Sequence, residues 1–244
     1  MVPGGRFVVL GRQGAGKGTQ CARLSHHYVL PHIATGDMLR ASMKAHTPLG
    51  LDAKAHIDAG RLVPDEIVLQ MVAERLEQDD TKSRGFVFDG FPRTVGQAKG
   101  LDEMLAPAEL DLAIDLDVPM EVVLRRLASR RVCEDCGEIY STEVPPRLPW
   151  ICDMCGGEVL QREDDTEEAI AERLRLYDAE TAPLIAWYEE AGKLVTLDGL
   201  DSPDAVTRRL VRAIDERRGD AGFGPPLYVD SGEETEPVGG GAPS

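Results

Sequence analysis

Nine residues near the start of the chain, 11–19 (GRQGAGKGT), constrain its fold more than any other stretch. Gly11, Gly14 and Gly16 stand where a backbone has to curl tightly, and Lys17 follows the third, so the segment fits G-x-x-x-x-G-K. In such a loop successive N–H groups turn inward, and the helix that follows adds partial positive charge at its N-terminus. The flanks agree with this. Residues 6–10 (RFVVL) are a β-branched run that stops at Gly11 and read as a buried parallel strand. Beyond Gly16, Cys21, Leu24 and Tyr28 fall at helical spacing. Gly14, Ala15, Gly16, Lys17, Gly18 and Thr19 are thus candidate phosphate-binding residues, with Lys17 as a point charge. One position departs from the general pattern: Gly18 follows Lys17, which displaces the magnesium-binding hydroxyl to Thr19.

Three further strands follow by the same reasoning: residues 86–88 (FVF, ending at Asp89), 112–116 (LAIDL) and 194–197 (LVTL). Helical patterns separate them. The alternation predicts an α/β fold, a parallel sheet with helices on both faces. Ligands of such sheets sit beyond the carboxyl ends of the strands, where Gly11 and Asp89 lie. A chain of 244 residues suffices for one such domain with an insertion. Aromatics are only 5%, so the core has to be built from Leu, Val, Ile and Ala.

Between Val132 and about Arg162 the pattern breaks into a Cys-, Pro- and Gly-rich stretch too long for an ordinary connection. It carries Cys133-x-x-Cys136, fifteen residues, then Cys152-x-x-Cys155. This spacing predicts a closed, structural zinc site of four cysteines that holds together a subdomain with little core of its own. Thiolates would also accept iron. Gly137 and Gly156 follow the two pairs and relieve their turns. Cys21 reads as a small core residue. From Gly219 onward the chain is Gly, Pro and acid without Lys or Arg, and reads as a disordered acidic tail.

The net charge of −16 repels nucleic-acid backbone and anionic membrane, so neither is an expected partner. Such a protein has to concentrate arginines wherever it binds phosphates. No run of 18 apolar residues is present, and residues 1–5 lack the features of a signal peptide, so the expected location is cytoplasmic.

Several short motifs fall in order along the chain: GxGKGTQ at 14–20, Thr35-Gly-Asp-Met-Leu-Arg40, Asp89-Gly-Phe-Pro-Arg93-Thr94, Gln97, and Arg162-x-Asp-Asp165. As a set they resemble the adenylate kinases, over about residues 6–217. The long insert resembles the lid of the long-lid form, and its cysteines the zinc-carrying version. The resemblance implies a P-loop NTPase-type fold. Its core would be residues 1–34, 65–131 and 163–218, with an AMP-binding helical insertion at 35–64, a lid at 132–162 and a tail at 219–244. It implies transfer of a phosphoryl group from ATP to AMP giving two ADP, with Mg2+ carried on ATP, structural Zn2+, and a monomer that binds ATP, AMP and ADP.

By the same resemblance, the AMP site is Thr35, Arg40, Arg61, Leu62, Val63, Gly90, Phe91, Pro92, Arg93 and Gln97, joined by Arg162 and Arg173. Arg40 and Arg93 would pair with the AMP phosphate, where a planar fork suits the anion. Gln97 would read adenine, because an amide donates and accepts at once. Arg126 and Arg130, four apart on a predicted helix over 120–131 and hence on one face, would reach ATP together with Ile139 and Tyr140. Lys17, Arg93, Arg130, Arg162 and Arg173 would surround the transferred group. Asp89, then Asp37, would order magnesium's waters. Asp165-x-x-Glu168 predicts a capping box for a helix starting near Thr166, and Arg125, Arg131 and Arg175 read as surface charges. Two positions depart from the family: Gln13 stands where Pro is usual, and Ala34 where Ser is frequent. The competing readings are a related kinase using GTP as donor or UMP or CMP as acceptor, a zinc-ribbon nucleic-acid-binding protein, and a nucleotide sensor on a degenerate kinase fold. The last requires a lost clamp residue, and none is lost.

Overall fold

The computed structural model describes residues 5–58, 61–162 and 165–219. The acidic segment 220–244 lies outside the described residues.

Strand β1 (Arg6–Leu10) is central, as its apolar run requires. It pairs in parallel with β3 (Phe86–Asp89) on one side and β4 (Leu112–Asp117) on the other. Beyond β3 lies β2 (His32–Ala34), and beyond β4 lies β8 (Leu194–Asp198), both parallel to their neighbours. The order is β2-β3-β1-β4-β8. The four expected strands are present, and β2 is an addition to them. At three residues it is too short to show a period in sequence.

Side chains of β1 alternate between two cores. Phe7 and Val9 pack with Leu24 of α1 (Lys17–Tyr28), Val123 and Leu127 of α7 (Met120–Ser129), Leu174 of α8 (Glu167–Leu176) and Leu210 of α10 (Pro203–Arg218). Val8 and Leu10 point the other way, with Leu39 of α2 (Thr35–Lys44), Ala53 of α3 (Pro48–Asp58), Val72 of α4 (Asp65–Leu76), Leu101 of α6 (Val95–Leu105) and Leu184 of α9 (Pro183–Glu190). A short α5 (Asp79–Arg84) precedes β3. A strand covered on both faces needs apolar residues at every position, which is why RFVVL shows no alternation. Cys21 is fully buried in the first core, as expected.

The Cys-rich insert is a three-stranded antiparallel sheet in which β5 (Arg130–Cys133) lies between β6 (Ile139–Ser141) and β7 (Val159–Leu160). Its core is only Cys133, Cys152 and Val159, with Tyr140 against them. Val144, Leu148, Trp150, Ile151 and Met154 stay exposed. Helix α7 ends at Ser129, so Arg130 opens β5. Arg126 and Arg130 therefore do not share a helix face, because the backbone turns extended between them. Among the described residues no helix is long and apolar enough to cross a membrane.

Candidate active site

The glycine-rich loop leaves β1 and ends at α1. Gly11, Gly14 and Gly16 all have positive φ, the region where a side chain is strained and glycine is not. The N-cap of α1 is Gly16, without a side-chain cap, and the first turn carries no acid. Its orphan amides and the positive end of its dipole thus face the loop unopposed. Lys17 Nζ spans the loop, donating to the carbonyls of Gly11 (2.8 Å) and Arg12 (2.9 Å). Burial pulls its pKa from 10.5 to about 8; the Asp89 carboxylate opposes that fall, and Arg93 adds to it.

Asp89 ends β3 beside this ammonium, with His32 Nε2 3.7 Å away. Burial pushes its carboxyl up, but His32, Lys17 and Arg93 together outweigh burial and hold it below the ordinary value. Gly18 has a local reason. A Cβ there would come within 3.2 Å of Asp89 Oδ2 and 3.4 Å of Ile139 Cδ1 of β6, so the missing side chain lets both approach the loop. Cys21, His32 and Asp89 also lie together, each offering one ligand-type atom within 4.8 Å of the others. Neither Cys21 nor His32 stands out in sequence as part of the site.

A second group of cations faces the loop. Arg93 is half-buried, and its Nε donates to Gly90 O at 2.7 Å. Burial lowers its pKa, as do Arg173 and Arg40 nearby, against the opposing pull of Asp89. Gathering three guanidiniums in a protein of net charge −16 costs energy that an anion would repay. Arg40 pairs with Asp37, and Arg162 reaches the same carboxylate at 3.9 Å. Arg130 holds Asp165 through Nε (2.9 Å) and Nη2 (2.5 Å), and Arg173 lies 3.6 Å from that carboxylate.

Asp165 is fully buried as the arginines' counter-ion and does not cap a helix. The cap of α8 is Thr166, whose hydroxyl accepts from Ala169 N, so the expected Asp165/Glu168 capping box is corrected. The Asp165 carboxylate is turned toward Arg130 and Arg173 rather than toward the helix amides. Gln13 joins the same network. With its carbonyl toward the guanidiniums it accepts from Arg130 Nη2 and Arg173 Nη1, each at 2.9 Å. The other orientation sets its NH2 against two donors and gains only a 3.4 Å contact with Asp165.

Arg126 donates to the carbonyls of Ala15 (3.1 Å) and Gly199 (3.3 Å) and so braces the loop. Thr35 Oγ1 donates to Gly90 O at 3.1 Å. Phe91 is fully buried against Phe88, so at that position only the backbone is offered to a ligand. Gln97 is buried at 2% exposure, and both ends of its amide have protein partners: Oε1 accepts from Arg93 N (2.9 Å), and Nε2 donates to Asp65 Oδ1 (2.7 Å). Asp65 carries no sequence signal of this role. An acid in the first turn of a helix reads there as a dipole partner.

One cleft of about 2100 Å3 joins these groups. Residues 14–19, Thr35, Asp37, Arg40, residues 61–63, Asp89, Gly90, Pro92, Arg93, Gln97, Arg126, Arg130, Ile139, Tyr140, Arg162 and Arg173 all line it. The same cleft runs on between α1 and α10, past His26, Thr207, Val211 and Asp215.

The four thiols of the insert lie within 4.8 Å of one another, with Cys133–Cys155 and Cys136–Cys152 Sγ pairs at 3.5 Å. Tetrahedral zinc with Zn–S near 2.3 Å spaces its sulfurs by about 3.8 Å, so the set fits that metal. Gly137 and Gly156 have positive φ, and each donates its N–H to the carbonyl of the first Cys of its pair.

Comparison with known proteins agrees with this geometry. The family model for adenylate kinase matches residues 9–193. A protein named adenylate kinase from Thermodesulfovibrio yellowstonii is 48% identical over 215 residues, 87% of this chain and 100% of that one. Adenylate kinases from Caldicellulosiruptor saccharolyticus and Clostridium perfringens are 46% and 45% identical over 212 residues, each covering 86% of this chain and 98% of theirs. Joined to a cleft in which a glycine-rich loop faces a cluster of arginines, these matches show that the chain belongs to the adenylate kinase family.

Proposed function

We propose that the protein transfers the γ-phosphoryl group of ATP reversibly to AMP, giving two ADP. The observation that carries this reading is that two anion sites face each other in one cleft: the Lys17 loop, and the group of Arg40, Arg93 and Arg173. ATP takes the first and the AMP phosphate the second. Phosphoryl transfer asks for in-line placement and cancellation of charge rather than covalent chemistry. Lys17 and the amides of Gly14, Ala15, Gly16, Gly18 and Thr19 hold the ATP phosphates. Arg93 stands between the sites, close enough to Lys17 and Asp89 to shift both. Arg130, Arg162 and Arg173 neutralise the moving group. No general base is needed, since the attacking AMP oxygen is already an anion.

Magnesium carried on ATP would supply charge neutralisation at its phosphates. Asp89, ionised and beside Lys17 and Gly18, is the residue fitted to hold its waters; Asp37 is engaged by Arg40. Four thiolates at zinc spacing support a structural Zn2+ in the lid. We assign residues 132–162 as a lid that closes over ATP, 35–64 as the AMP-binding insertion, and 1–34, 65–131 and 163–218 as the core. Ile139 and Tyr140 bring the lid to the loop, and closure would keep water from taking the phosphoryl group.

A nucleotide panel tests the assignment. The protein is incubated with Mg2+, ATP or GTP, and each monophosphate, and the products are separated. The expected result is ADP from ATP plus AMP, with little turnover of UMP or CMP. Equal turnover of the pyrimidine monophosphates would overturn the choice of acceptor, and no transfer to any monophosphate would overturn the activity.

A further inference from the structure

We propose that Asp65 sets which base the acceptor site takes, by locking the side-chain amide of Gln97 in one of its two orientations. This rests on the reading of Gln97 as the residue that meets the base.

An amide has the same shape either way round, so only its hydrogen-bond partners decide which end is oxygen. For Gln97 they decide it without ambiguity. An ionised carboxylate only accepts, so the NH2 end has to face Asp65 Oδ1 (2.7 Å); a backbone N–H only donates, so the oxygen has to face Arg93 N (2.9 Å). Rotating the amide by half a turn would lose both bonds. It would also set oxygen against carboxylate and NH2 against N–H.

Asp65 is itself held in place. Its Oδ2 accepts from Thr94 Oγ1 at 2.7 Å, and that hydroxyl in turn accepts from Gln97 N at 3.0 Å as the N-cap of α6. Position 96 permits this approach. A Cβ on Gly96 would lie 2.7 Å from Asp65 Oδ2, so a larger residue there would push that carboxylate aside.

The locked amide still has one lone pair on Oε1 and one hydrogen on Nε2, and Gln97 lines the cleft. An acceptor above an unspent donor matches adenine, whose amino group donates beside a ring nitrogen that accepts. Hypoxanthine, the base of IMP, presents the reverse, a carbonyl oxygen that accepts beside a ring N–H that donates. To bind it Gln97 would have to turn over, which sets its oxygen against the Asp65 carboxylate and its NH2 against the Arg93 N–H. Asp65 touches no substrate; it is a positioning residue for the base reader.

Asn or Ser at position 65 both donates and accepts, so either removes the carboxylate's half of the lock and leaves only the Arg93 N–H opposing the turned amide. The test measures kcat/KM for AMP and for IMP, with ATP and Mg2+, in the full-length enzyme and in Asp65→Asn, Asp65→Ser and Gln97→Ala. Asp65→Asn should reduce the preference for AMP over IMP by about tenfold or more, the scale on which one two-point base contact discriminates. A merely structural role would lower both substrates together and leave the ratio alone. Asp65→Ser gives the same readout should Asp65→Asn not fold. An unchanged ratio in folded Asp65 variants, with the preference lost in Gln97→Ala, would overturn the lock and leave Gln97 as the base reader. A preference that survives Gln97→Ala would overturn both.

Discussion

Single residues in this protein take their roles from what they face. Arg93 lies half-buried between the carbonyl of Gly90, the Asp89 carboxylate and other cations. Arg93→Ala removes one charge clamp, worth about 3–4 kcal/mol by analogy with oxyanion donors. Turnover should therefore fall at least about a hundredfold with the melting temperature little changed; near-normal turnover would sink its assignment. Lys17 predicts a pH dependence. Burial leaves its pKa at about 8, so the free enzyme loses that charge as pH rises through 8. The kcat/KM for ATP should decline above pH 8, while kcat holds to higher pH because bound phosphates favour the ammonium. Stability moves the other way. Between about 8 and 10.5 the unfolded chain binds more protons at this residue, so Lys17 makes folding more favourable as pH rises. A decline in kcat/KM that tracks loss of structure would refute the assignment to Lys17. Gln13 has no reason in the sequence to be anything but a loop residue. In the fold its carbonyl joins Asp165 in holding Arg130 and Arg173, so the phosphate loop and two arginines from other elements form one network. Proline could not reach them.

At the scale of elements, legibility in the sequence depends on how long a pattern runs. RFVVL and the loop after it are legible because strand, turn and helix signals abut within a few residues. β2 is not, because three residues carry no period. The end of α7 is hidden because Arg126 to Arg131 keeps helical spacing and polar character; the chain turns extended at Arg130 because β5 pairs with β6 and β7. The pairing with β7 joins residues far apart in the chain and leaves no local trace. The lid shows the opposite case. Its Cys pairs are plain in sequence, and their convergence follows from metal chemistry. With a core of Cys133, Cys152, Val159 and Tyr140, it buries too little to hold its shape alone. Purified protein should carry about one zinc per chain. Cys136→Ser, or chelation on mild heating, should release the metal and melt the lid before the sheet. Metal-free protein with an unchanged melting profile would refute the staple.

For the whole molecule, the cleft of about 2100 Å3 is walled by the sheet, the 35–64 segment and the lid together. No one of them makes a site. This predicts that ATP and AMP together draw the molecule in, because the arginines repel one another until phosphate neutralises them. Small-angle X-ray scattering should show a smaller radius of gyration with both nucleotides than with neither, and high salt should weaken the effect. An unchanged radius would overturn closure as the water gate.

The order of residues along the chain was enough for the glycine-rich loop, the α/β class, the insert's cysteine set and the family resemblance. Each rests on neighbouring residues or on spacings that only one chemistry uses. Partners needed the folded chain: Asp165 as counter-ion rather than helix cap, Asp65 against Gln97, and Asp89 against Gly18 and Lys17. A carboxylate's role depends on which donor lies within about 3 Å of it. That donor is commonly tens of residues away in the chain, brought near by the packing of helices on a sheet.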